Sequence, residues 1–126
     1  MTQHIAHLEA TLKREITQLY KTYFGKGPIG TTVKVIENLV MIKLSGALSQ
    51  VEESLMTSLA GKELVMKIRD EMLLGQRNNY IPMVEKVVNA KVDDVCYVMG
   101  EKDSAMYMFL VFENDIEPNV EIGAND

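Results

Sequence analysis

Apolar residues recur at spacings of three and four over residues 5–24, at Ile5, Leu8, Leu12, Ile16, Leu19 and Tyr23, with charged residues between them. That period predicts one amphipathic helix with a single core-facing stripe. Gly25 follows where a helix C-cap favours positive φ, and Pro28 stands three residues later as a stop. The period then changes to two. In TTVKVIE, Val33 and Val35 alternate with Thr32 and Lys34, Glu37-Asn38 reads as a hairpin turn, and LVMIKL reads as the returning strand. Ser49 stands three residues before Glu52, a capping-box spacing, with Leu48 as a staple residue. A helical period resumes from Val51 through Leu55, Leu59, Leu64, Val65, Ile68, Met72, Ile81 and Val84 to Val88. Gly61, Gly75 and Pro82 are expected to divide it into two or three helices, because glycine weakens a helix and an interior proline kinks it. KVDDVCYVM and AMYMFLVFE form a last hairpin turning at residues 100–103.

The resulting order is α-β-β-α-α-β-β. A long helical stretch between two hairpins predicts an α+β two-layer sandwich, with a four-stranded antiparallel sheet and helices on one face. The last two strands are apolar on both sides: Val95, Tyr97 and Met99 against Cys96 and Val98, then Met106, Met108, Leu110 and Phe112 against Tyr107, Phe109 and Val111. A sheet with one solvated face should alternate. The economical cover for the second face is another copy of the chain, so a homodimer built on the sheet is expected.

Composition narrows the class. The chain has 126 residues, 47% of them hydrophobic, enough for one domain with a real core. A net charge of −5 and a pI near 5.0 argue against a general nucleic-acid binder, and none is expected as a partner. Residues 115–126 carry four acids and no Lys or Arg, leaving 13 basic against 14 acidic residues before them. The domain is therefore placed at 1–114, with an acidic tail that frays or docks weakly. One cysteine, Cys96, excludes an internal disulfide and fits a reducing compartment. The N-terminus has no apolar signal core, and runs such as AMYMFLVF fall far short of a membrane helix. A soluble, cytoplasmic protein without membrane insertion is expected.

Candidate chemistry is sparse. The loop YFGKGPIG, residues 23–30, holds three glycines and Lys26. A Walker loop runs from a strand into a helix with its lysine after the last glycine; here the lysine follows the first glycine and the order of elements is reversed. GPIG also matches the GxxG of KH domains, but that loop joins two helices. Turn chemistry is the favoured reading. His4 and His7 lie three apart on a helix with no further ligand nearby except Glu9. The adjacent acids at 52–53 and 93–94 point away from one another and support no catalytic pair. Cys96, in mid-strand, reads as buried packing, Arg69-Asp70-Glu71 as a solvated helical face, and the nine methionines as core filler. No set of acid, base and nucleophile emerges. The expectation is no enzyme, no metal and no cofactor.

LYKTYFGKGP, a following hairpin, and LSGALSQVEESLMTSLAGKELVMKIRDEM together closely resemble the small bacterial MpsC-like proteins, over roughly residues 8–113. That family has a helix ending in tyrosine and G-[KR]-G-P, then a strand ending in G-x-L-[ST]-x-x-E, then an arginine-bearing helix after a glycine. The matching positions are Tyr20 or Tyr23, Gly25, Lys26, Gly27 and Pro28, then Gly46, Leu48, Ser49 and Glu52, then Gly61 and Arg69. Of these, Tyr23, Gly25, Lys26, Gly27, Pro28, Gly46, Glu52 and Arg69 are the candidate interaction or structural residues. Pro82 departs from the continuous helix of the family. The resemblance implies association with a sodium-linked, membrane-potential-generating system that has also been tied to inorganic-carbon supply. It points to a non-enzymatic accessory or regulatory component in peripheral contact with membrane transporter subunits. The rival expectation is a small-ligand or nucleic-acid binding module using the 25–30 loop.

Overall fold

The computed structural model describes residues 2–100, 102, 103 and 105–116. Its elements run α1 (Thr2–Phe24), β1 (Gly30–Ile36), β2 (Leu39–Ser45), α2 (Gln50–Leu55), α3 (Leu59–Gly75), α4 (Arg77–Val88), β3 (Val92–Met99) and β4 (Met106–Phe112). The strands form one antiparallel sheet in the order β1-β2-β4-β3. This is the expected α+β sandwich, with the helical stretch between the hairpins divided in three.

The period-3.6 stripe of α1 buries Leu8, Leu12 and Tyr20 and packs Ile5, Ile16 and Phe24 against the core. Gly25, at φ +78°, donates its N–H to the Lys21 carbonyl at 2.9 Å and closes the helix. α1 runs beside β1, where the Glu9 carboxylate accepts the Val35 N–H at 2.8 Å and so occupies part of an otherwise open strand edge. Glu37 takes φ 55° in the tight turn between β1 and β2.

Inward residues of the sheet (Val33, Val35, Val40, Ile42, Leu44, Met106, Leu110 and Phe112) are buried beneath the helices. The outward residues line up across the strands. Lys34 pairs with Met41, which pairs with Phe109, which pairs with Cys96; Thr32, Lys43, Tyr107 and Val98 form the next row. α4 packs on α1 and does not cross to this outer face.

Four expectations need correction. Cys96 is exposed on the outer face rather than buried, because strand alternation sets it opposite Val95 and Tyr97. Gly61 does not break a helix. The break falls at residues 56–58, Ser58 caps α3 by accepting the Gly61 N–H at 3.0 Å, and a Cβ on Gly61 would sit 1.8 Å from the Leu55 carbonyl oxygen. That glycine lets α2 and α3 close on one another. Pro82 lies within α4 and does not end it. Lastly, Ile116 is fully buried and donates its N–H to the Glu37 carbonyl at 2.7 Å, so the packed chain extends beyond 114. The rest of the acidic tail, 117–126, lies outside the described residues.

Candidate functional site

Arg69 is not part of a solvated face. It is 2% exposed and is the largest of the fully buried side chains. Gly61, Val65 and Arg69 stand four apart along α3 and all three are buried, so the core-facing line of that helix runs straight through the guanidinium. A buried cation needs an acid and a full set of acceptors, and the fold supplies both.

The acid is Glu52. Its position follows from the capping box at the start of α2: the Ser49 hydroxyl accepts the Glu52 N–H at 3.2 Å, and Glu52 Oε1 accepts the Ser49 N–H at 2.9 Å. The same carboxylate receives Arg69 as a fork, Nε to Oε2 at 2.7 Å and Nη2 to Oε1. Nη2 also donates to the Ala47 carbonyl at 3.1 Å. Nη1 donates to the Tyr20 hydroxyl and lies 3.8 Å from Met106 Sδ. Tyr20 donates its own O–H to the Ala47 carbonyl at 2.6 Å. All five guanidinium N–H groups are thereby engaged. The Phe24 ring, stacked on Tyr20 with centroids 4.3 Å apart, faces the guanidinium at 4.4 Å. Gly46, at φ +62°, turns the chain from β2 so that Ala47 presents its carbonyl to this cluster.

The electrostatics follow from this wiring. Burial alone would raise the Glu52 carboxyl, but the Arg69 and Ser49 hydrogen bonds hold it below its ordinary value. Burial alone would lower Arg69, yet Glu52 and Tyr20 more than offset it and hold the guanidinium above its ordinary value. Burial raises the Tyr20 phenol despite the opposing Arg69 charge. The cluster is a fixed ion pair with a tyrosine bridge. It ties α1, the loop after β2, α2 and α3 together.

Of the candidate residues, Gly46, Glu52 and Arg69 converge here, together with Tyr20. Tyr23, three residues from Tyr20, does not join the bonding and instead lines an adjacent cavity. Gly25, Lys26, Gly27 and Pro28 stand apart in the α1–β1 loop, with Lys26 exposed. Two N–H groups of that loop are already spent, Gly25 on Lys21 and Ile29 on the Ser45 carbonyl at 2.8 Å, which weighs against an anion cradle. His4 and His7 are exposed on α1, and no group of three or more His, Cys, Asp or Glu suited to a metal ion occurs among the described residues. Tyr20 was the bonding tyrosine that periodicity alone did not single out, although its spacing of four from both Ile16 and Phe24 places it on the same face.

The cavity opens behind Tyr20 and Phe24, between the sheet, the second half of α1, the end of α3 and the start of α4. It offers about 70 Å³ to the centre of a water-sized sphere. None of its lining residues is charged.

The model of the MpsC family, described as a Na+-translocating membrane potential-generating system, matches residues 4–114. The chain belongs to the MpsC family. A Bacillus subtilis (strain 168) relative, "Uncharacterized protein YbcI", is 22% identical over 114 residues, covering 90% of this chain and 92% of that protein. No solved structure matches. Among the described residues no helix is long and apolar enough to cross a membrane. Within this MpsC-family chain, the buried cluster thus draws on three separate parts of the pattern that carried the resemblance.

Proposed function

We propose that the chain is a non-enzymatic accessory or regulatory component of a bacterial cation-transport, membrane-potential or inorganic-carbon system, acting in the cytoplasm and touching transporter subunits peripherally. The family match over residues 4–114 carries this reading, since its description names a sodium-translocating system. The wiring of Arg69 supports the non-enzymatic part: its donors are all engaged within the chain, and its partner Glu52 is held as a counter-ion rather than as an acid or base. A component with no membrane-crossing helix among its described residues meets such a system through its surface. Membrane vesicles from a strain lacking the chain should build a smaller sodium-dependent potential, restored by adding the purified protein. An unchanged potential overturns the reading.

The working form on this reading is a homodimer through the outer face of the sheet. Phe109, Tyr107, Val111 and Met41 form its centre, with Val98, 51% exposed, beside them. Lys34 and Lys43 lie toward the β1 side and Asp94 toward the β3 side. A two-fold axis parallel to the strands lays β1 of one copy over β3 of the other, bringing each lysine flank toward an aspartate flank. An axis across the strands would stack lysine on lysine. Light scattering after size exclusion should give a dimer mass at micromolar concentration, and Phe109→Asp a monomer with its helical spectrum intact. A monomeric wild type rejects the dimer.

A further inference from the structure

We propose that the cavity behind Tyr20 and Phe24 is a binding site for a small, neutral, apolar ring compound carrying one hydrogen-bonding atom, and that Tyr97 supplies the polar contact. The proposal stands apart from the transport reading and does not depend on it.

Protein interiors hold few voids larger than a water molecule. A space of about 70 Å³ on a water-sized sphere's centre is several times what one water needs. Waters settle in such spaces only where two to four polar groups hold each of them. This lining is dominated by Leu19, Ile42, Leu44, Met72, Met106 and Met108. The space therefore suits an apolar occupant better than ordered water. Tyr97 lines the same space, and its hydroxyl is buried without a hydrogen-bond partner among the described residues. A buried, unsatisfied phenol is unfavourable in the empty protein and becomes favourable when a ligand atom meets it.

The chemistry of the occupant follows from the walls. Tyr20, Tyr23, Phe24 and Tyr80 present aromatic surface to a ring, and methionines adapt to its outline. Charge is excluded on both counts: no lining residue is ionised, and the nearby Arg69 has spent every N–H on the chain itself. An anion would be desolvated here without compensation, and the buried Arg69 guanidinium against the Tyr20 and Phe24 rings repels a cation.

The full chain carrying 13C-methyl methionine would be titrated with p-cresol and, separately, with toluene, which lacks the hydroxyl. Saturable shifts are expected at Met72, Met106 and Met108, with Met41 on the outer face unmoved. p-Cresol should bind about fivefold more tightly than toluene, the worth of one ordinary hydrogen bond. In Tyr97→Phe the preference should reverse, because the p-cresol hydroxyl is then buried without a partner, and Leu19→Phe, which fills the space, should abolish binding while keeping the wild-type methyl spectrum elsewhere. The absence of saturable shifts at the three cavity methionines overturns the site. Equal shifts at Met41 also overturn it, as non-specific adsorption. A preference for p-cresol that survives Tyr97→Phe removes Tyr97 from the proposal.

Discussion

The stretch from Gly46 to Arg69 and the loop from Gly25 to Pro28 contribute to the same family pattern, and the fold treats them in opposite ways. In the first, Glu52 and Arg69 are buried against each other at 12% and 2% exposure and every guanidinium donor has an acceptor. In the second, Lys26 stands exposed at the end of α1. A charge in a short motif thus says nothing by itself about solvation; the helical line on which it sits does. The buried half secures the packing of four segments. The exposed half has only a turn to make and a surface to present.

Removing Arg69 should expose the contrast most strongly. Arg69→Ala leaves the Glu52 carboxylate, the Tyr20 hydroxyl and the Ala47 carbonyl without their shared donor, and loss of one partner of a buried pair costs about 3–5 kcal/mol. Urea unfolding measures it as a shift in midpoint. Replacing both partners, Arg69→Met with Glu52→Gln, should recover part of that loss because no charge is then left unpaired. A single Arg69→Ala that unfolds like the wild type would place the cluster on the surface in solution.

Acid should attack the same cluster. The Glu52 carboxyl titrates below its ordinary value in the folded protein, so its stabilisation is complete above the unfolded value of 4.5 and is lost as pH falls through the lower folded value. Unfolding midpoints measured from neutral pH down through that window should fall in the wild type and fall less in Glu52→Gln. An identical acid profile in both would show that Glu52 is not held as an ion.

A smaller effect separates backbone from side chain. Gly46→Ala forces a β-carbon into a left-handed conformation, at a cost of about 1–2 kcal/mol. It also meets Ile29, whose Cβ would lie 2.9 Å from the new carbon and whose N–H is held by the Ser45 carbonyl. Gly25→Ala carries the same conformational strain with open space around the new carbon. The difference between the two variants in urea unfolding therefore reports the Ile29 contact and the correct seating of Ala47, and Gly46→Ala should be the less stable.

The element order was legible because the apolar period switches cleanly between 3.6 and 2, and because Ser49 and Glu52 announce the start of α2. The division of the middle helices was legible only at Gly75, where α3 ends. In sequence Gly61 reads as a propensity defect, whereas its function is to admit the Leu55 carbonyl, a contact that exists only after α2 and α3 meet. Arg69 reads as solvated because its neighbours Asp70 and Glu71 are charged, although the four-residue line from Gly61 through Val65 leads to it. The choice between Tyr20 and Tyr23 depended on the position of the 46–48 loop, which no local pattern encodes. Cys96 illustrates the same limit in a strand: alternation tells which residues share a face, not which face the helices cover.

The smallest effect belongs to the exposed loop. Lys26 has no hydrogen bond or ion pair among the described residues, and it extends from a turn whose backbone is set by Gly25. Lys26→Ala should therefore shift stability by no more than about 0.5 kcal/mol, as for a surface residue away from special features. Its effect on the sodium-dependent potential of reconstituted vesicles is the informative readout. A variant of unchanged stability that fails to restore the potential would give the loop a role in partner contact. A destabilisation comparable to that of Arg69→Ala would erase the contrast between the two stretches, because it would require Lys26 to be bonded as tightly as the buried arginine.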